Sequence, residues 1–243
     1  MQHTSPQVPH PQAEQNARAY DRIAHCYDGV YTSVLTHAGN AVLARWIERH
    51  LGPVDEKELL DMGCGTGLLP EILRVHPDRY VGLDPSVGML DRARGKFPHL
   101  RLVQAYQEDT GFEDASFDSV ASLFGVFSYS PEPERVVAEI GRVLKPGGKY
   151  LVMALGSRFC RNPKMECCNR HGVTSVFTCW SKSKLKRMFS TLGPCKAFSF
   201  SFAPGSTMLH PLLTRTGLRL ESALLGPVLG GLFRYQIVTG VRS

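Results

Sequence analysis

Short apolar runs alternate with stretches in which apolar residues return every three to four positions, and the alternation is clearest between residues 58 and 155. Residues 58–62 form a mostly apolar run that stops at a cluster of glycines, which predicts a strand entering a tight loop. Leu68, Leu69, Ile72 and Leu73 then show the i, i+1, i+4, i+5 spacing of a helix face. A second strand is predicted at 80–83, followed by a helix N-capped by Ser86 with Val87, Leu90 and Ala93 on its apolar side. Strands are also expected at 100–104 and 117–123. Ser130-Pro131 reads as N-cap and first position of a helix carrying Glu132 and Glu134 in its first turn. Its apolar face is Val136, Val137, Ile140, Val143 and Leu144, and Lys145-Pro146-Gly147-Gly148 ends it and turns into a strand at 150–155. Five strands alternating with helices predict an α/β fold with a parallel sheet.

The flanks are less regular. Residues 1–13, rich in Gln, His and Pro, read as a disordered tail, and 15–51 as two or three helices bearing Tyr20, Tyr27 and Tyr31. After 156 come a polar, Cys-rich insert at 157–179, a helix at 181–192, a strand at 196–202, a helical lid at 205–226 and an edge strand at 233–241. The expected organisation is a single domain over 14–243, divided into N-terminal helices (14–51), a core (57–155) and a basic C-terminal part (156–243).

A chain of 243 residues with 43% apolar content can bury one sizeable core. Its most apolar run, 223–233, is broken by Gly226, Pro227, Gly230 and Gly231, so no membrane span is expected. The N-terminus lacks the pattern of a secretory signal, and the seven cysteines do not look like a disulfide framework. A reducing cytoplasm is the expected location. The net charge of +6 conceals an asymmetry: residues 156–243 hold 13 Lys/Arg against Glu166 and Glu221. Such a segment either is simply solvated or faces an acidic substrate, a nucleic acid or a membrane surface.

The chemistry centres on Asp61-Met62-Gly63-Cys64-Gly65-Thr66-Gly67. Glycines where a strand passes into a helix let the backbone approach a ligand closely, as in nucleotide sites. The NAD fingerprint requires its third glycine one position later, where this chain has Leu68. S-Adenosylmethionine (SAM) has no pyrophosphate and carries a sulfonium cation, which suits an acid at position 61. Asp84, 17 residues after Gly67, ends the second strand, where a carboxylate can accept two ribose hydroxyls.

Leu59-Leu60-Asp61-Met62-Gly63-Cys64-Gly65-Thr66-Gly67, Val81-Gly82-Leu83-Asp84-Pro85-Ser86 and Leu144-Lys145-Pro146-Gly147-Gly148 together resemble the signature blocks of class I SAM-dependent methyltransferases. Within that class they are most similar to the small-molecule branch that includes ubiquinone/menaquinone-type enzymes, over residues 17–155. The resemblance implies an enzyme with SAM as cofactor and S-adenosylhomocysteine as product. The implied fold is Rossmann-like: a seven-stranded, mostly parallel sheet with helices on both faces, an N-terminal helical cap and a helical lid before the last strand. Tyr20-Asp21-Arg22-Ile23-Ala24 and Tyr27-Asp28 resemble a segment that caps the cofactor pocket in that branch, which implies Tyr20 and Tyr27 in its wall. Carried over, the pattern puts Gly63, Cys64, Gly65 and Gly67 under the cofactor, Asp84 with Pro85 at the ribose, Met89 near the adenine and Phe124 on the side where substrate enters. One departure stands out: the third strand of the family usually ends in Gly-Asp-Ala-Glu, whose Asp bonds the adenine amino group, whereas this chain has Ala105-Tyr106-Gln107-Glu108. Gln107, backbone groups or stacking by Tyr106 are the alternatives for that contact.

Methyl transfer from a sulfonium is an in-line displacement served by closeness and alignment, and no universal catalytic residue is required. Tyr31, His37, Tyr129, His171 and His210 are candidates for a general base, each with a structural role as the blander alternative. Tyr27, Tyr31, Phe127, Tyr129 and Trp180 are expected to line a partly aromatic substrate pocket. Cys160, Cys167, Cys168, Cys179 and His171 crowd together without a C-x2–4-C pair, so no metal is expected. The expected reaction is methyl transfer to an O or N atom of a small aromatic or anionic metabolite. The rivals are an RNA or tRNA methyltransferase using the basic C-terminal third, an arsenite-type enzyme and a non-catalytic partner subunit. Leu123-Phe124-Gly125-Val126 stands where base-N-methylating enzymes carry Asn/Asp-Pro-Pro-Tyr/Phe, and the intact glycine loop disfavours the partner subunit.

Overall fold

The computed structural model describes residues 8–31, 34–156, 164–168, 174–200 and 235–243. Its helices are α1 (Pro11–Ile23), α2 (Val34–Leu51), α3 (Leu68–Ile72), α4 (Val87–Lys96), α5 (Pro133–Val143) and α6 (Lys182–Phe189). Its strands are β1 (Leu59–Met62), β2 (Tyr80–Asp84), β3 (Arg101–Gln104), β4 (Phe117–Ser122), β5 (Leu144–Leu155), β6 (Lys164–Cys168), β7 (Thr174–Thr178), β8 (Cys195–Phe200) and β9 (Tyr235–Val241). Seven of them form one sheet in the order β3-β2-β1-β4-β5-β9-β8, and β6 pairs with β7 in a separate hairpin. β1 to β5 are mutually parallel, while β9 runs antiparallel to both of its neighbours. The fold is therefore Rossmann-like, with the strand order reversing beside β1, where open α/β sheets place their ligands.

Both faces of the sheet are covered. α5 and α6 bury Val136, Ile140, Leu185 and Phe189 on one face. α2 and α3 bury Leu43, Ile47, Leu51 and Leu69 on the other. β1 and β2 are consequently buried at every position, the near-continuous apolar pattern of strands covered on both sides. Among the described residues no helix is long and apolar enough to cross a membrane.

Several expectations are corrected. β9 is not an edge strand: it lies between β5 and β8, and its first five residues are buried. Burial on both faces looks the same in sequence whichever neighbours a strand has, so the pattern there carried no information about position in the sheet. Residues 11–13, expected to lie in a disordered tail, are helical. α1 starts at Pro11, where His10 accepts from the Gln12 N–H at 3.1 Å, and Gln12 and Ala13 are already buried. α5 begins at Pro133 with Glu132 as N-cap, not at Ser130-Pro131. The Ser130 hydroxyl is instead engaged with Glu108 while accepting from the Glu132 N–H at 3.0 Å. Lys145-Pro146-Gly147-Gly148 does not separate helix from strand; β5 runs through it with a register shift against β4 between Phe117 and Ser119, eased by Gly147 at φ +76°.

The remaining C-terminal elements are α6, N-capped by Ser181, and β8. Within the expected insert the structure shows the β6–β7 hairpin. Cys179 is disulfide-bonded, against the reading of the cysteines as lacking such bonds, while Cys26, Cys64 and Cys195 are in the thiol form. The predicted lid at 205–226 lies outside the described residues, as do Cys160, His171 and His210.

Candidate functional site

A cavity of about 500 Å³ opens at the carboxyl ends of β1 to β4. Its floor is the loop after β1. Gly63 has φ +73°, and a Cβ there would sit 2.3 Å from Val126 Cγ1, so only glycine fits against that side chain. Gly65, at φ +54°, differs: a Cβ there would meet nothing within 4 Å. It borders open cavity, as a backbone cradle for a ligand requires. Gly67 does not line the cavity. It caps α3 at φ +88°, and a Cβ would press on the Phe97 ring at 2.9 Å, so its role is packing and its expected place under a cofactor is corrected.

Two carboxylates stand beside this loop. Asp84 accepts from the Gly65 N–H at 3.0 Å with one oxygen and from the Ser86 N–H at 2.9 Å with the other. Each oxygen keeps a further acceptor site for a ligand hydroxyl. Burial pushes the Asp84 carboxyl up to about 6, against the lowering effect of those two amides. Asp61 accepts from the Tyr80 hydroxyl at 2.8 Å. Burial, then the Asp84 charge, raise it to about 7 despite that hydrogen bond.

Tyr20, Tyr27, Cys64, Pro85, Met89, Tyr106, Gln107, Phe124 and Tyr129 line the same cavity. Tyr20 lies edge-on to Tyr27 (centroids 6.1 Å apart) and to Tyr129 (5.5 Å), making one aromatic wall. Phe124 holds a left-handed backbone, φ +51°, unusual for an aromatic residue and of the kind that clusters at ligand sites. Phe127 and Trp180 are corrected as pocket residues. The 3-10 turn Val126–Tyr129 puts residues three apart on one side, so Val126 and Tyr129 face the cavity while Phe127 is buried opposite them. There Phe127 packs on Trp180 at 5.3 Å and on Phe189 at 5.4 Å. The side chains of Tyr31 and His37 are outside the description.

Other site residues escaped the sequence reading. Asp21 accepts from the Ser86 hydroxyl at 2.6 Å and from the Gly88 N–H at 2.8 Å, and Asp28 accepts from Thr66 Oγ1 at 2.5 Å and pairs with Lys96 at 3.3 Å. Together they fasten the N-terminal cap over the loop. Asn16 bonds the Tyr129 carbonyl (3.1 Å) and both main-chain groups of Val176 (2.8 and 2.9 Å), joining α1 to the β6–β7 hairpin. Asp21 and Asp28 had a signal, since each follows a tyrosine in the segment read only for its aromatics; Asn16 had none. Asn40 and Gln107 are buried in the cavity wall, and Asn40 Oδ1 and Gln107 Oε1 have no hydrogen-bond partner among the described residues. Glu108 also lines the wall, its carboxyl raised by burial.

The lining is rich in acceptors: Asp28, Asp61, Asp84, Glu71 and Glu108 face a single lysine, Lys96, among the described residues. A ligand bearing cationic groups, hydroxyls and amino donors is what this set suits. The SAM molecule has those groups: a sulfonium and an ammonium, a ribose diol and an adenine amino group. The open cradle at Gly65 and the Asp84 carboxylate fit it.

The fold and the site therefore define a nucleotide-type α/β protein of the class I methyltransferase architecture. The methyltransferase-domain family matches residues 60–152. The demethylmenaquinone methyltransferase of Clavibacter sepedonicus is 33% identical over 142 residues, 57% of this chain and 57% of that protein. The demethylmenaquinone methyltransferase of Chlorobaculum tepidum is 31% identical over 197 residues, 79% of this chain and 76% of that protein. A solved structure of geranyl diphosphate C-methyltransferase from Streptomyces coelicolor A3(2) superposes with a TM-score of 0.63 at 18% identity, covering 98% of this chain and 100% of that one. The last likeness concerns the fold alone. This chain belongs to the class I SAM-dependent methyltransferases, in their ubiquinone/menaquinone methyltransferase-like branch. It spans little more than half the length of the first curated relatives it matches, 57% and 58%.

The raised carboxyls make ligand affinity depend on pH. As pH falls through about 7 and then about 6, Asp61 and Asp84 take up protons and lose acceptor capacity and charge. SAM affinity is expected to drop by about tenfold between pH 8 and pH 5.5, roughly one pKa unit of linkage. Stability of the ligand-free protein runs the other way. Both folded-state values lie above the ordinary 3.8, so the contribution of these groups is full below about 3.8 and is lost as pH rises through 6 to 7. The SAM-induced rise in melting temperature should thus grow from pH 5.5 to pH 8; a shift independent of pH would contradict this assignment.

Proposed function

We propose that this chain acts as a single-domain SAM-dependent methyltransferase on a small aromatic acceptor of the quinol or phenol class. The observation that carries the proposal is one cavity joining an acceptor-rich half beside the Gly65 loop to an aromatic wall of Tyr20, Tyr27 and Tyr129. When bound, SAM supplies a methyl group activated by its sulfonium. The protein's part is to hold and orient: Gly63 and Gly65 shape the floor, Asp84 takes the ribose hydroxyls, and Asp61 offers negative charge to the cationic end. Tyr20, Tyr27 and Tyr129 exclude water and present flat faces to a ring, the closeness and alignment that an in-line displacement needs. The excess of carboxylates favours a neutral acceptor over the anionic alternative. Glu108, after β3, and Tyr129 as its phenolate, after β4, are the cavity groups proposed to receive a proton from an acceptor hydroxyl or amine. The names of the curated relatives support a quinone-type substrate. The proposed location is the cytoplasm, consistent with reduced thiols at Cys26, Cys64 and Cys195, with the disulfide at Cys179 set against it.

Calorimetric titration with SAM, S-adenosylhomocysteine and NAD tests the cofactor. Micromolar binding of the first two and none of NAD is expected, and failure of both sulfur compounds to bind would overturn the proposal. Incubation with methyl-labelled SAM and either a reduced naphthoquinone lacking its ring methyl or bulk tRNA tests the acceptor. Label is expected in the solvent-extractable quinone fraction; labelled tRNA would favour the nucleic-acid reading instead.

A further inference from the structure

Ala13, Asn16, Ala17 and Tyr20 recur at the three- and four-residue spacing of one helix face, and all four line the cavity from α1. Asn16 nevertheless offers a ligand no polar group, because it is buried and its carboxamide is committed to the protein. Nδ2 donates to the Tyr129 carbonyl at 3.1 Å and to the Val176 carbonyl at 2.8 Å, which uses both of its N–H bonds. Oδ1 accepts from the Val176 N–H at 2.9 Å. These partners settle the orientation of the amide, since turning it over would set its oxygen against two carbonyls.

In an antiparallel ladder alternate residues turn both main-chain groups away from the partner strand, and Val176, opposite Glu166 on β6, turns its own toward α1. A carboxamide carries the donor and acceptor of a peptide group, so Asn16 pairs with the open edge of β7 as a residue of a third strand would. The hairpin stands apart from the seven-stranded sheet, and a two-stranded hairpin alone is marginally stable, so its place depends on such contacts. The remaining bond reaches Tyr129, the last residue of its 3-10 turn, where main-chain carbonyls lack partners within the turn. One helical turn beyond Asn16, the Tyr20 ring meets the Tyr129 ring edge-on with centroids 5.5 Å apart, and Phe177 of β7 meets it at 5.8 Å. Tyr129 is thus held by its carbonyl and by its ring, and the ring is held by the same two elements, α1 and β7, that Asn16 joins.

We infer that Asn16 is a positioning residue for the methyl acceptor: by tying α1, Tyr129 and β7 together at one point it fixes the Tyr129 ring and the hairpin as a single wall, and so sets the affinity for the acceptor while the cofactor is left to the Gly65 loop and Asp84. The inference rests on the reading of the acceptor as a quinol or phenol and adds to it the residue that holds the wall in place. Asn16 acts through Tyr129 and Val176, and its polar atoms touch neither reactant.

Hydrogen exchange reads the positioning without any acceptor. In Asn16→Ala the amides of residues 174–178 are expected to exchange about tenfold faster, while those of β1 and β4 stay within about twofold. Turnover of methyl-labelled SAM with the reduced naphthoquinone lacking its ring methyl reads the consequence. KM for the quinol is expected to rise about tenfold, with kcat and the affinity for S-adenosylhomocysteine each within about threefold of the unaltered protein. A merely structural role would weaken S-adenosylhomocysteine alongside the quinol and lower kcat through loss of active protein. Asn16→Asp keeps the shape and the bond from the Val176 N–H but, when ionised, donates to neither carbonyl, and it provides the same two readouts if the alanine variant does not fold. Unchanged exchange at 174–178 or an unchanged quinol KM in a folded variant overturns the inference, as does a loss of S-adenosylhomocysteine affinity equal to that for the quinol. An unaltered protein that binds S-adenosylhomocysteine but does not methylate the quinol overturns the quinol reading instead, and the exchange result then decides the positioning on its own.

Discussion

Replacing Asp84 with alanine is expected to weaken S-adenosylhomocysteine binding by about 100-fold while leaving a folded protein. Two hydrogen bonds from ribose hydroxyls to a carboxylate are lost, each contributing about 1.5 kcal/mol or more because the acceptor is charged. The folded state is expected to survive because Asp84 is poorly placed as a charge when no ligand is bound. It is buried, its carboxyl is raised to about 6, and it raises the pKa of Asp61 in turn. Removing it leaves the Gly65 and Ser86 N–H groups without their acceptor but relieves the burial of a charge, and the two effects oppose each other. Circular dichroism checks the fold and calorimetry the affinity. A folded Asp84→Ala protein that binds as tightly as the original would show that the carboxylate does not hold the ribose.

The second large effect separates two glycines of one loop. Gly65→Ala introduces a methyl group into open cavity at φ +54°, a conformation that costs a non-glycine residue about 1–2 kcal/mol. The protein should fold, yet its affinity for S-adenosylhomocysteine should fall by about 100-fold or more, since the methyl occupies space reserved for the ligand and an overpacked contact costs about 1–3 kcal/mol in addition to lost hydrogen bonds. Gly63→Ala places its methyl 2.3 Å from Val126 Cγ1, so its main effect falls on stability, expected to be about 3 kcal/mol in denaturant unfolding. Normal binding by Gly65→Ala would mean that no ligand lies against the loop.

Much of this architecture is legible in the sequence because it is local. A strand buried on both faces, a glycine turn and an N-cap serine are each encoded within a few residues, so β1, β2, β4, α4 with Ser86 and α6 with Ser181 were all anticipated. Asp61, Gly63, Gly65 and Asp84 were legible for the same reason, each standing at the end of a strand whose run of apolar residues announces it. Where two local readings were equally good, sequence chose wrongly. Pro131 and Pro133 both suit the first position of a helix, and the matter was settled by Glu108, which engages the Ser130 hydroxyl from 22 residues away. Phe127 and Tyr129 are both aromatics after β4, and only the 3-10 turn Val126–Tyr129 sends one to the core and the other to the cavity.

By itself the sequence determined the α/β class, the loop that shapes the floor of the cavity and the acids beside it, because these depend on short-range periodicity and on the conformations that glycine alone permits. Tertiary structure decided which strands are neighbours, burying β9 between β5 and β8. It also decided how the site is closed: Asn16 meets Val176 from 160 residues away, and Asp21 meets Gly88 from 67. Contacts of this kind leave no periodic trace, since a buried polar group is specified by the partner that folding brings to it, and the chain near that group does not name the partner.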